Sequence, residues 1–320
     1  MAVRAQIAML PDGRRLHLHD GPIDLIVEAF GAVREVETAY RAAATRFVGV
    51  LDELCGELSF LRQPARTNGA LPAGSIARRM VAAVAPFASS TFITPMAAVA
   101  GSVAEEILLT MTSAASLSRA YVNDGGDIAL HLSPGEKFVV GMVDRPDRPS
   151  LFGTTAIDFP DPVRGIATSG WRGRSFSLGI ADAVTVLAST AAMADAAATI
   201  IANTVNLPGH PAITRVPACE LAPDSDLKAR LVTQRVGKLA PEEICEALEA
   251  GVQVATALRK SNLICSAALS LQGQVVIADH MDKVESATAA AKTGHQVTAF
   301  IAAVNCCATR KQSASPRSAL

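Results

Sequence analysis

The 320-residue chain is half apolar and carries 29 basic against 30 acidic residues. That length and apolar share support one large core or two joined ones, so disorder is excluded as the default. The near cancellation of charge, with no long block of one sign, excludes the electrostatic footprint of a nucleic-acid binder. Six cysteines, Cys55, Cys219, Cys245, Cys265, Cys306 and Cys307, match neither a CxxC metal knuckle nor a secreted disulfide framework, and a reducing cytoplasm is expected.

The first twenty residues reach Pro11 and several charges before an apolar core forms, which argues against a signal peptide. The most apolar run, residues 183–202, holds Asp195 and has Asp182 at its edge. A carboxylate near a bilayer centre costs about 2.5–3.5 kcal/mol on insertion scales, so this run is expected to be a buried strand and helix rather than a membrane span.

In chain order, AQIAML and RRLHLH flank a Pro-Asp-Gly turn and predict a hairpin whose His17 and His19 share one strand face. Two histidines without a third ligand nearby are read as a polar sheet face rather than a metal site. Apolar residues at three- and four-residue steps predict one long amphipathic helix over residues 32–61. After a Pro- and Gly-bearing interruption, two helical segments follow at residues 76–84 and 97–116. SRAYVN, DIALHL and KFVVGMV then form a strand-rich block.

The second half opens with TTAIDF and GIATSG, then a strand over 181–188 and a helix over 189–203. Residues 207–240, rich in Pro and Asp, are expected to wrap the surface. A helix over 241–250 and strands GVQVATALR and ICSAALSLQGQVVIA follow, and the Ser-, Lys- and Arg-rich residues 308–320 read as a disordered tail. Helices and strands mix without strict alternation, which favours α+β with mainly antiparallel sheets. Residues 1–307 are expected to form a single domain, with two intimately packed halves at about 1–150 and 151–307 as the alternative.

Three segments carry residues suited to chemistry. In the turn at residues 123–127, Asn123, Gly125, Gly126 and Asp127 combine a backbone that can pass close to a ligand with carboxylates that can hold a hydroxyl or amide, although such a turn is most often only a turn. In GIATSG, Ala167, Thr168, Ser169 and Gly170 offer free amides and two hydroxyls, and Arg164, Arg172 and Arg174 can add charge-assisted bonds to a phosphate. Asp195 and Thr199 lie four residues apart and project from one helix face. They are sufficient for magnesium if a phosphate lies opposite, while an Asp hydrogen-bonded near a helix start is the plainer alternative.

Together, the AsnxGlyGlyAsp turn, the AlaThrSerGly strand end, the ValThrValxAla strand and the AlaAspAlaxAlaThr helix resemble the ApbE family, the FAD:protein FMN transferases, over roughly residues 30–210. The resemblance implies an ApbE-like (T-fold-like) α+β fold with flanking long helices. It also implies FAD or a related nucleotide as ligand, Asp195 and Thr199 as magnesium ligands, and Asp127, Thr168 and Ser169 near the nucleotide.

Two departures mark this chain. Active transferases carry a HisxxAspPro segment between the second and third motifs, whereas WRGRSFSLGIAD fills that space here and no histidine occurs between His131 and His210. The helix-start segment TPMAAVAGSVAEE lacks the basic residue the family uses, its polar residues being Thr94, Glu105 and Glu106. These features resemble the ApbE-like branch without HisxxAspPro, some archaeal members of which are linked by association to sulfide assimilation.

The leading expectation is therefore a flavin- or nucleotide-binding protein of undefined reaction, with a divergent FMN transferase whose catalytic residue is undefined as one form of it. His210, on a Gly-His-Pro loop, is the acid–base candidate. One alternative is a sulfur-assimilation partner enzyme using the adjacent Cys306 and Cys307, and another is a binding protein that retains the fold without turnover. The Ala-rich helices permit a homodimer, and a protein partner is compatible with every one of these alternatives.

Overall fold

The computed structural model describes residues 4–67, 69–143, 151–278, 285–286 and 300–302. The chain opens with β1 (Gln6–Met9), exposed throughout, followed by β2 (Leu16–Asp20) and β3 (Ile23–Phe30), whose burial largely alternates. In β2, Leu16 and Leu18 are buried while His17 and His19 face the other way, as the period of two requires. β3 was not anticipated from the sequence. It is joined to β2 through a two-residue turn in which Gly21 takes a φ of +59°, a conformation that favours glycine.

The expected long helix over 32–61 is broken into α1 (Val33–Phe47), α2 (Val50–Gly56) and α3 (Leu58–Leu61). The interruptions fall at Val48–Gly49 and at Glu57, just after Gly56, where glycine raises the cost of continuing the helix. Next come α4 (Ser75–Val84), a short 3-10 turn (Pro95–Ala98) and α5 (Val99–Ala114).

Strands β4 (Arg119–Asp124), β5 (Asp127–Leu132), β6 (Lys137–Val143), β7 (Leu151–Asp158), β8 (Gly165–Ser169) and β9 (Ala183–Ala188) precede the Ala-rich α6 (Ala191–Thr204). The stretch expected to wrap the surface contains a small hairpin, β10 (Ile213–Pro217) and β11 (Leu231–Val236), with α7 (Ala218–Leu221) between its strands.

GVQVATALR is not a strand but the second half of α8 (Pro241–Lys260). Val252 and Val254 imitate alternation, yet the buried positions Ile244, Ala247, Leu248, Gly251 and Ala255 follow the helical step. At Gly251 a Cβ would lie 2.5 Å from the Val205 side chain and 2.6 Å from that of Leu269, so tertiary packing selects the helix and the glycine together. Two further strands, β12 (Ser266–Leu271) and β13 (Gln274–Ala278), complete the main sheet, and β14 (Glu285–Ser286) and β15 (Phe300–Ala302) add to a second one.

The main sheet has the order β1-β2-β3-β4-β5-β8-β9-β12-β13, with every neighbouring pair antiparallel. The second has the order β14-β7-β6-β15, with a parallel pair between β6 and β15. One face of the main sheet, including Leu18, Leu25, Val122, Ala167 and Val184, packs on the helices. The other, including Tyr121, Ile128, Ile166 and Leu187, packs on Phe138, Val140 and Ile157 of the second sheet. Central strands covered on both faces read as continuous apolar runs, which is why every residue of β9 and of β12 is buried. The architecture is α+β. No described helix is long and apolar enough to cross a membrane.

Candidate functional site

Asp195 lies in the second turn of α6, against the start of α5. The helices meet through small residues: a Cβ on Gly101 would lie 2.3 Å from the carbonyl oxygen of Ala191, so only glycine permits this approach. The result is reciprocal capping. Gly101 N donates to Asp195 Oδ2 at 3.0 Å, and Ala192 N donates to Glu105 Oε1 at 3.0 Å. Neither Ala98 nor another residue at the α5 N-cap supplies a side-chain acceptor, so a carboxylate from the neighbouring helix meets the free amides and the positive end of the helix dipole.

The turn at residues 123–127 brings further carboxyls to the same place. Asp124 pairs with Asp127 across a two-residue hairpin loop in which Gly125 and Gly126 both have positive φ, +63° and +114°. This is the geometry a tight antiparallel hairpin demands. Asn123 Oδ1 accepts from Gly126 N at 2.8 Å and closes the loop. Asp127 Oδ1 accepts from Thr168 N at 3.2 Å across to β8. Arg174 lies against Gly125, where its guanidinium occupies the space a side chain would need, and its Nη2 is 3.6 Å from Asp124 Oδ1.

Asp124, Asp127 and Asp195 are thereby coupled electrostatically. Burial pushes the Asp195 carboxyl up to about 7, the amides of Gly101 and Ala100 opposing the rise and the charge of Asp124 adding to it. Burial likewise pushes Asp124 up to about 7, with Arg174 opposing. Asp127 is raised well above the usual carboxylate range by burial and then by the charges of Asp195 and Asp124. Three carboxyls that disfavour one another's ionisation, with one exposed guanidinium beside them, form a locus where a hard cation would relieve the repulsion. Asp127 and Asp195 offer only oxygen donors at this locus, and Thr199 follows one turn beyond Asp195 on α6. That donor set fits magnesium.

The other singled-out residues fall into distinct places. Thr168 reaches the cluster through its main-chain N–H, while its hydroxyl pairs with that of Thr185 at 2.9 Å. Ala167 is buried against the helices, and Gly170 packs so closely that a Cβ would lie 2.5 Å from Asp182 O. Ser169 follows at the partly exposed end of β8. Arg172 is held by Asp182 at 2.6 Å, and Arg164 donates to the carbonyls of Phe159, Asp161 and Val163. Of the three arginines proposed for phosphate, Arg174 is the one beside the aspartates.

His210 accepts from Ala212 N at Nδ1 and meets Glu243 Oε1 through Nε2 at 2.8 Å. Glu243 in turn accepts from Ala240 N and caps α8. Among the described residues, no hydrogen bond or ion pair joins His210 to the aspartates. Glu106 is engaged by Arg46, Ser75 and Arg79, and Glu105 by Arg79 besides Ala192, while Thr94 bonds to Asp226. The polar residues standing where the family has a base thus serve packing between elements. An open groove between α1 and α5, lined by Arg41, Thr45 and Thr110 among others, lies toward the far end of α5 from Gly101. Cys306 and Cys307, and the tail at 308–320, lie outside the described residues.

Sequence reasoning missed the parts played by Gly101 and Glu105, and it singled out Arg174 without its place beside Asp124. A lone glycine within an apolar helix start was the available sign of a close backbone approach.

A family model described as "AbpE bacteria" matches residues 7–277. The chain belongs to this AbpE family. Among curated relatives of this AbpE-family chain, a UPF0280 protein of Methanopyrus kandleri is 39% identical over 141 residues, 44% of this chain and 52% of the relative. One from Methanothermobacter thermautotrophicus is 42% identical over 116 residues, 36% and 43% respectively. The matches thus span about half the length of these relatives. Among solved structures, the flavin transferase ApbE of Vibrio cholerae aligns at a TM-score of 0.46 with 11% identity, covering 85% of this chain and 96% of that one. The apo flavinyl transferase ApbE of Pseudomonas stutzeri aligns at 0.42 with 12% identity, covering 85% and 93%. At these scores no residue role is carried across from them.

Proposed function

We propose that this AbpE-family chain binds a flavin nucleotide, FAD or a close relative, together with magnesium at the aspartate cluster, and acts as a divergent flavin transferase. The supporting observation is convergence: the turn after β4, the end of β8 and the second turn of α6 are remote in sequence, yet Asp127, the Thr168 amide and Asp195 meet at one place. Asp127, Asp195 and Thr199 would hold the metal. Arg174, with 46% of its side chain exposed, would reach a phosphate while remaining beside Asp124.

Magnesium, when bound, supplies charge that offsets the pyrophosphate of the nucleotide. The residues of the chain do the positioning. The Asp195–Gly101 bond fixes the carboxylate relative to α5, and the Asp127–Thr168 bond fixes the turn relative to β8, so the two ligand-bearing elements are held on a rigid frame.

A second reading, binding without turnover, is favoured by the segment at 171–182. It holds no histidine, and its Asp182 is occupied by Trp171 Nε1, Arg172 and the amide of Gln272. One experiment addresses both. FAD binding is followed by flavin fluorescence with and without magnesium, and AMP release is then measured in the presence of acceptor proteins. Magnesium-dependent binding that weakens at least tenfold in Asp195→Asn supports the site, and AMP release supports transfer. If FAD fails to bind, or binds regardless of magnesium and Asp195, the proposal falls. Binding without AMP leaves the non-catalytic reading in place.

A further inference from the structure

The N-terminal hairpin carries a second cluster that the aspartate site does not use. Among the described residues, His17, His19 and Asp24 form a trio whose potential ligand atoms all lie within 4.8 Å of one another. Strand geometry produces it. The two histidines are separated by one residue on β2 and so share a face, and the register places Asp24 of β3 directly opposite His19 and diagonal to His17. His17 Nε2 lies 2.5 Å from Asp24 Oδ1, and the imidazole centroids are 6.2 Å apart. All three side chains are partly exposed, so an ion can reach them from solvent.

We propose that His17, His19 and Asp24 form a binding site for a divalent transition metal of the zinc type. A polar sheet face accounts for the His17–Asp24 hydrogen bond alone. It does not account for His19, which makes no hydrogen bond to the described residues although its ring nitrogen converges on the other two ligand atoms. Two imidazoles and one carboxylate suit zinc, nickel, cobalt or copper far better than magnesium, whose preference is for oxygen.

Ligands around a tetrahedral zinc at about 2.0–2.1 Å lie roughly 3.3 Å apart, so binding requires small side-chain rotations and replacement of the His17–Asp24 hydrogen bond by two metal bonds. Three protein ligands leave one position for water or a ligand atom, the pattern of an open site rather than a closed structural one. The trio shares no ligand with the aspartate cluster, although the two are close: the strand register sets Leu25, next to Asp24, opposite Asp124. The inference does not depend on flavin binding.

The test uses the full chain stripped with a chelator. Zinc is titrated by calorimetry, and cobalt serves as a spectroscopic probe. The expected result is one equivalent of zinc whose affinity falls at least tenfold in His19→Ala and in Asp24→Asn, both checked for folding by circular dichroism. It is unchanged in Asp195→Asn and in excess magnesium. The cobalt adduct of the unaltered protein should show d–d bands of a nitrogen and oxygen site without a thiolate charge-transfer band, a readout that needs no variant. Zinc binding that persists equally in both variants, or a thiolate band, would mean an adventitious ion only, held by cysteines. Loss of the equivalent in Asp195→Asn would place the metal among the aspartates and overturn the assignment.

Discussion

Replacement of Asp195 by Asn separates stability from binding at the candidate site. The carboxyl rises from its ordinary value of 3.8 to about 7 in the folded chain. That shift of roughly 3 units corresponds to at most about 4 kcal/mol of destabilisation once the group is ionised in both states. Solvent reaches part of the side chain, and neighbouring carboxyls share the proton, which reduces the effect to about 1–2 kcal/mol.

The sign follows from proton counting. Between about pH 4 and pH 7 the folded state keeps the proton that the unfolded state has lost, so stability falls as pH rises through this window and levels off above it. Asn carries no charge and retains an oxygen to accept from Gly101 N. Asp195→Asn without added metal should therefore melt about 2–5 °C higher than the unaltered protein at pH 8. The gain should shrink to less than half at pH 5, where the native carboxyl is already protonated. Magnesium should raise the melting temperature of the unaltered protein and leave that of the variant unmoved. Scanning calorimetry at the two pH values, with and without magnesium, measures all of this. A variant less stable than the parent at pH 8, or a gain independent of pH, would refute the electrostatic argument.

Two further substitutions separate main-chain from side-chain roles. Thr168→Val removes the hydroxyl paired with Thr185 but keeps the N–H to Asp127. It should cost about 1 kcal/mol of stability in denaturant unfolding and leave FAD affinity within about threefold, whereas a collapse of affinity would show that the hydroxyl itself contacts the ligand. Gly101→Ala must force α5 away from the Ala191 carbonyl, so a loss of about 1–3 kcal/mol is expected together with weaker magnesium-dependent binding. Unchanged melting would show that the helices can separate freely.

Much of the local architecture was legible because periodicity is a local property. The alternation in LHLHD, the paired glycines of the Asp124 turn and the apolar runs around Val184 correspond to strands and a hairpin in the structure. Misreadings arose where two periods coexist, as in GVQVATALR, or where a glycine such as Gly49 interrupts a pattern that otherwise continues. β3 escaped because its buried run, IDLIVEAF, acquires meaning only between β2 and β4.

The sequence by itself determined the family, through four short motifs in a fixed order, and it singled out Asp195 in an apolar helix and Asp127 in a glycine turn as candidate site residues. Only the tertiary structure decided what their partners are. The start of α5 meets Asp195, the β8 amide meets Asp127, and Arg174 meets Asp124, because helix packing at Gly101 and strand pairing between β5 and β8 join segments that lie up to about a hundred residues apart. The same holds for His17 and His19. The strand period aligned them, but the third ligand came from a neighbouring strand whose register no local pattern encodes.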